Sequence, residues 1–368
     1  MVVAIHTHPL IFNEQYDYWL TAVCWIAVPF FFVVGSFLFF SSNKTISTYV
    51  KRLLTLYLVW FIIEVPFIYE RFFVEHSFQK GMLLFIRGVL ISNTFYASWY
   101  ITATWQATLI VYYLSKYNKR HLLLIVAIIC AFMSVTNSLY HNLFDNKIWN
   151  LYTLFTGIIC ASNSFVAAIP YCIIGKYIAE HQQKITKFHG NLSLIALSII
   201  VCTIELALCK NIQSCTDSYL TLYLLAFSVC VFLISNNIKL KFNIAKLLRK
   251  MSILIYLLHG IAIRILEMTL GLHQGRLLFL LTLIMSVVAS FIIVNLSNRF
   301  KILSKLHWYT ALWLILFLLF NRTVHYSFAI IVQYETKRHW HFFDTFDFPA
   351  ALSVCFSSFF KCSSVWRN

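Results

Sequence analysis

Charge is what this chain has least of. Asp, Glu, Lys and Arg make up only 11% of its 368 residues, and just 13 residues are acidic. A soluble domain of that length needs a polar exterior that this composition does not supply. Proline and glycine are also scarce, at 5 and 9, which argues against a turn-rich barrel and suits long uninterrupted helices. The opening MVVAIHTHPL lacks the basic n-region and small-residue cleavage site of a signal peptide. No P-loop, Gly-rich dinucleotide turn or G-x-S-x-G elbow occurs. His6 with His8, and His339 with His341, lack a third ligand at a sensible spacing, so no metal site is expected.

Apolar residues are abundant instead. They form 60% of the chain, and the mean hydropathy is +0.77. Lipid is the solvent that suits such a sequence, and a spanning helix needs about 20 mostly apolar residues. The expected fold is an all-α polytopic transmembrane bundle of about 10–11 spans. They fall near 1–11 (shortened), 17–41, 53–70, 97–115, 121–138, 163–180, 191–209, 217–236, 251–270, 276–297 and 308–332. The short apolar pieces at 82–92 and 151–161 read as re-entrant or interfacial. Residues 1–332 form the membrane domain, and 333–368 a tail mixing aromatic and acidic residues.

The formal net charge is +16, but the basic residues cluster between apolar runs, as membrane orientation requires, so nucleic acid is not an expected partner. If the Lys44–Arg52 loop is cytoplasmic, alternate connections hold 17 basic residues against 6 on the other side before the tail. Cysteines number 10, and Cys24, Cys130, Cys160, Cys172, Cys202 and Cys230 lie within apolar runs, where Cys acts as a small hydrophobe. Cys209 and Cys215 flank one short loop and are placed to pair only in an oxidising compartment.

Polar residues inside a bilayer are costly, so each is a functional candidate. His6 ends the first apolar stretch, with His8 as the simplest decoy. Pro29 and Gly35–Ser36 permit a helix irregularity and close backbone packing. Lys51 and Arg52 serve either as positive-inside anchors or as phosphate ligands. Glu64 and Glu205 lie within spans and must be protonated or paired. Trp99 and Tyr100 open a span, where an aromatic belt is the bland explanation. Ser252, Tyr256 and His259, four and three residues apart, share one helix face. Such a face lines a cavity or bonds to a neighbouring helix.

Taken in order, VVAIH (2–6), VPFFFVVGSFLFF (28–40), YVKRLL (49–54), SWYI (98–101), IPYCIIGKYIA (169–179) and MSILIYLLHGIAI (251–263) resemble acyltransferase family 3 from residue 2 to about 300. That family includes bacterial O-acetyltransferases of surface polysaccharides. Three departures stand out. The Arg-containing half-helix that usually leads into the His is missing, Gly35–Ser36 replaces the usual Ser–Gly order, and Thr55 stands in place of the second arginine that usually accompanies Arg52.

The resemblance implies acyl transfer, commonly of acetyl, from acyl-CoA as co-substrate to a hydroxyl of a surface polysaccharide or lipid-linked saccharide. No bound cofactor is expected, and the location is the bacterial inner membrane. His6 would be the general base and Arg52 with Lys51 would hold the CoA phosphates. Tyr256 and His259 would line the acyl or acceptor cavity, with Glu64, Trp99, Tyr100 and Ser252 as further lining residues. Two other readings stand beside this one: an exporter of a polysaccharide precursor or small acid, and an inactive remnant of the enzyme.

Overall fold

The computed structural model describes residues 1–96, 98–144, 146–209, 218–236 and 242–299. The expected span at 308–332 and the tail lie outside these residues. Fifteen α-helices follow one another, with no strand among the described residues. They are α1 (Val2–Thr7), α2 (Glu14–Cys24), α3 (Ala27–Phe40), α4 (Ile46–Ile63), α5 (Val65–Tyr69), α6 (Phe78–Leu90), α7 (Ser98–Lys116) and α8 (Arg120–Thr136). Next come α9 (Lys147–Ile158), α10 (Phe165–Glu180), α11 (Gln182–Ile185), α12 (Asn191–Cys209), α13 (Leu222–Ser235), α14 (Phe242–Leu270) and α15 (Arg276–Arg299).

Among the described residues, five stretches are long and apolar enough to cross a membrane: Glu14–Phe40, Ile46–Ile63, Asn191–Cys209, Leu247–Leu270 and Arg276–Leu296. The helices α8 and α13 are apolar but shorter. Their surfaces invert the soluble pattern. On α15, Leu280, Ile284 and Val288 face outward, more than half exposed, while Thr282, Ser286 and Ser290 are buried. Small hydroxyl residues thus lie between helices and bulky apolar ones meet lipid, as expected where lipid removes any reward for hiding leucine. The chain is an all-α polytopic membrane bundle.

Two prolines set the helix breaks. A proline ring clashes with the carbonyl four residues before it. For Pro29 that is Trp25, and α2 ends at Cys24. For Pro66 it is Ile62, and α4 ends at Ile63, with Glu64 between α4 and α5. The apolar run at 53–70, expected as one span, is therefore two helices followed by a π-helical turn over Glu70–Val74. The short segments at 82–92 and 151–161 correspond to α6 and α9, of 13 and 12 residues.

Helix α10 packs against α3, α7, α8 and α13. At Gly175 a Cβ would collide with the Val33 carbonyl and the Ser36 side chain, so α3 and α10 meet backbone to backbone. The Ser36 hydroxyl donates to the Cys172 carbonyl at 2.7 Å across the same seam. Loops expected on one side of the membrane are joined accordingly. Gly275 N–H donates to the Thr7 carbonyl at 2.7 Å, and Ser218 N–H to the Ser138 hydroxyl at 3.0 Å. These bonds join loops on the side expected to hold fewer Lys and Arg, and α1 and α4 finish at this end, opposite the expected basic loops.

Candidate active site

The site assembles at that opposite end from four separate stretches of chain. Helix α1 supplies His6 in its last turn, anchored by buried Val3, Ala4, Ile5 and Thr7 against α14 and α15. His8 ends the helix in the left-handed region, with φ 43°. Its Nδ1 lies 2.7 Å from the Asp17 carboxylate, so this second histidine pins α1 to α2.

Helix α14 supplies His259, which is fully buried. Its ring stacks on His6 with centroids 5.3 Å apart and 27° between planes. The His259 Nδ1 lies against the Tyr256 carbonyl oxygen. A carbonyl only accepts, so Nδ1 carries the hydrogen and the neutral ring keeps its lone pair on Nε2. That Nε2 is buried and has no hydrogen-bond partner among the described residues.

The third ring is Tyr96, from the loop before α7. It meets His6 edge-on at 5.1 Å and His259 at 5.5 Å. Buried Ser98 shapes this loop: its hydroxyl accepts the Thr94 and Phe95 N–H groups at 2.8 and 3.1 Å and donates to Asn93 Oδ1 at 2.9 Å. Gly260 leaves the space that the Tyr96 ring fills, since a Cβ there would fall on the ring.

Glu64, 2% exposed, sits at the α4–α5 break. Its Oε2 accepts the Tyr96 N–H at 3.2 Å, while Oε1 has no hydrogen-bond partner among the described residues. Glu64 lines a cavity of about 40 Å³ together with Arg71, Tyr96, Gly260 and Arg264. Arg264 makes a loose pair with Glu267 at 3.7 Å.

Away from the rings, Tyr256 stacks edge-on with Tyr100 at 5.5 Å. A Cβ on Gly35 would touch the hydroxyls of Tyr100 and Tyr49. A column of tyrosines thus leads from His259 toward the first turn of α4, beside exposed Lys51 and Arg52. Arg52 lies twelve residues before Glu64, about 18 Å along a helix axis.

Of the residues expected from sequence, the structure gathers His6 and His259, links Glu64 to them through Tyr96, and continues the line through Tyr256 and Tyr100. Lys51 and Arg52 stand exposed near the start of α4, outside the ring cluster. Trp99 turns to Phe32, 5.9 Å away, within the α3–α7 packing. Ser252 is half-buried on α14, two turns before His259. Glu205 is a clamp: it accepts from the Tyr140 hydroxyl at 2.9 Å, from Leu220 and Thr221 N–H at 2.8 and 2.7 Å, and from the Thr221 hydroxyl. It therefore ties the turn that leads into α13 to α12. Sequence reasoning missed Tyr96, Ser98, Tyr49, Arg71 and Arg264. Only Arg264 carried a signal, an arginine inside an apolar run. No group of three or more metal-ligating side chains occurs among the described residues.

Comparison with known proteins fits this picture. Two curated proteins of Enterococcus faecalis, each named amino-acid racemase, resemble the chain. One is 27% identical over 203 residues, covering 51% of this chain and 27% of the relative. The other is 23% identical over 332 residues, covering 82% of this chain and 45% of the relative. The chain thus spans less than half the length of these relatives. No solved structure matches it. The family model described as an acyltransferase domain matches residues 1–295, a stretch that includes every helix carrying the ring cluster. This chain belongs to acyltransferase family 3.

Proposed function

We propose that the protein is an O-acyltransferase of the bacterial inner membrane that moves an acyl group, acetyl foremost, from acyl-CoA to a hydroxyl of a surface polysaccharide or its lipid-linked precursor. The observation that carries this reading is the His6–His259–Tyr96 ring cluster, set apart from Lys51 and Arg52 at the start of α4. A hydroxyl attacks a thioester effectively only when a base takes its proton as the new bond forms. His6 is assigned that role, since a neutral imidazole has a lone pair near physiological pH. His259 places a second lone pair, on Nε2, in the same cluster. The acceptor oxygen bonds to the acyl carbon, the carbon–sulfur bond breaks, and the proton held by the base goes to the departing thiolate.

Charge assigns the two substrates to different ends. CoA is a polyanion, and Lys51, Arg52 and their neighbouring basic loops offer matching charge. The Tyr49–Tyr100–Tyr256 column joins that end to His259. The racemase name of the relatives enters only as a name, because more than half of each relative lies outside the matched region.

The test compares surface polysaccharide from cells lacking the gene, carrying it, or carrying His6→Ala, with membrane levels of each protein matched. O-acetyl groups are scored by NMR before and after mild alkali. Acetyl signals that need the gene and vanish with His6→Ala support the assignment. Equal acetylation in all three strains overturns it for this acceptor, and uptake or export of labelled precursor in vesicles then tests the transport reading.

A further inference from the structure

The small cavity beside the ring cluster has an unusual wall. It combines Glu64, a deeply buried acid whose Oε1 has no hydrogen-bond partner among the described residues, with two arginines, Arg71 and Arg264. A buried acceptor left without a donor is costly, so an occupant that supplies one is favoured there. Two arginines disfavour a cationic donor such as an ammonium and favour a neutral one such as a hydroxyl. The same arginines present paired N–H donors suited to a carboxylate or phosphate. At about 40 Å³ the cavity holds a chemical group rather than a whole sugar ring. It adjoins the rings directly, because Tyr96 and Gly260 form part of its wall and Tyr96 contacts both His6 and His259.

We propose that this cavity is an acceptor subsite for an anionic, hydroxyl-bearing saccharide: Arg71 and Arg264 bind its acidic group, and Glu64 Oε1 accepts a hydrogen bond from a neighbouring hydroxyl. The subsite rests on the acyltransferase reading for its role but not for its existence. An acid group docked between the arginines holds the sugar beside His6, so that an adjacent hydroxyl meets the base. The Glu64 backbone position at the α4–α5 break and the Tyr96 N–H bond to Oε2 keep the carboxylate aimed.

The experiment measures ligand binding to the full-length protein in nanodiscs, without any acyl donor. The probes are methyl glucuronide, glucose 6-phosphate and the neutral methyl glucoside. Either anionic sugar is expected to bind at least tenfold more tightly than the glucoside, and the better of the two names the acidic group. Arg264→Ala and Arg71→Ala should each remove at least tenfold of that preference. Glu64→Gln should weaken the anionic sugar while leaving CoA binding, measured separately, unchanged. Equal affinity for all three sugars overturns the proposal, as does wild-type affinity in both arginine variants. Displacement by phosphatidylglycerol with no binding of either sugar acid also overturns it and makes the cavity a lipid site. If sugar binding follows expectation but no acyl transfer is found, the subsite stands and the acyltransferase reading falls.

Discussion

His6 and His259, near opposite ends of the family match, stack with ring centroids 5.3 Å apart. Two imidazoles in contact inside a membrane bundle are costly to maintain unless they do something, because hydrocarbon offers polar groups no water. Their roles differ by environment. His259 has its tautomer fixed by the Tyr256 carbonyl, whereas His6 stands on a short helix held at its end by the Thr7–Gly275 hydrogen bond.

Loss of either ring should therefore affect transfer more than stability. His6→Ala is expected to lower acyl transfer by roughly 10²–10⁴-fold, the usual contribution of a positioned base. His259→Phe keeps the ring volume but removes the lone pair, and is expected to cost at least tenfold in kcat. Transfer assays on purified protein, with thermal unfolding measured in parallel, check both. Wild-type rates in His259→Phe would reduce that ring to packing.

Gly260 controls the third ring. A Cβ at this position falls on Tyr96, so Gly260→Ala must push the tyrosine away from both histidines. Overpacking of this kind costs about 1–3 kcal/mol, and acyl transfer should fall with it. Tyr96→Ala should remove the conflict. The double variant is then expected to unfold at a temperature no lower than Tyr96→Ala alone, which a thermal melt of the four proteins decides.

The limits of sequence legibility follow from these residues. Helix positions were visible because apolar runs of spanning length are contiguous in the chain. The break at Glu64 was written as Glu-Val-Pro, yet the apolar run continues through Val65–Tyr69 and hides it. His6 stands out as a polar group in an apolar stretch, and Tyr256 and His259 as one polar face of an apolar helix, but nothing local to α1 says that it packs on α14. Tyr96 sits in a loop whose shape depends on Ser98, and loops carry no periodicity to read. Glu64 and Glu205 look alike in sequence as lone acids within spans. Only their surroundings separate them, four donors around one and a single N–H for the other.

Glu205 accordingly belongs to stability. Glu205→Ala strips hydrogen bonds from the hydroxyls of Tyr140 and Thr221 and from the backbone N–H groups of Leu220 and Thr221 just before α13, at a cost on the order of 3 kcal/mol. A clear drop in unfolding temperature is expected, with KM values for both substrates unchanged in the protein that remains folded. Kinetics at a temperature well below the melt separate the two effects. A raised acceptor KM would instead place Glu205 in a substrate path.

Lys51 and Arg52 give the complementary case, a change in binding without a change in fold. Both are exposed near the start of α4, where a single side chain carries little packing. On the proposed reading they meet the CoA phosphates, so Arg52→Ala should raise KM for acyl-CoA about tenfold, equivalent to about 1.4 kcal/mol, and leave the acceptor KM alone. Because exposed charges are screened by salt over about 10 Å at 0.1 M, the wild-type KM for acyl-CoA should also climb with ionic strength. The climb should be shallower in Lys51→Ala/Arg52→Ala than in wild type. Parallel slopes in the two proteins would leave these residues as orientation anchors, and the CoA site would have to be sought among the other basic loops.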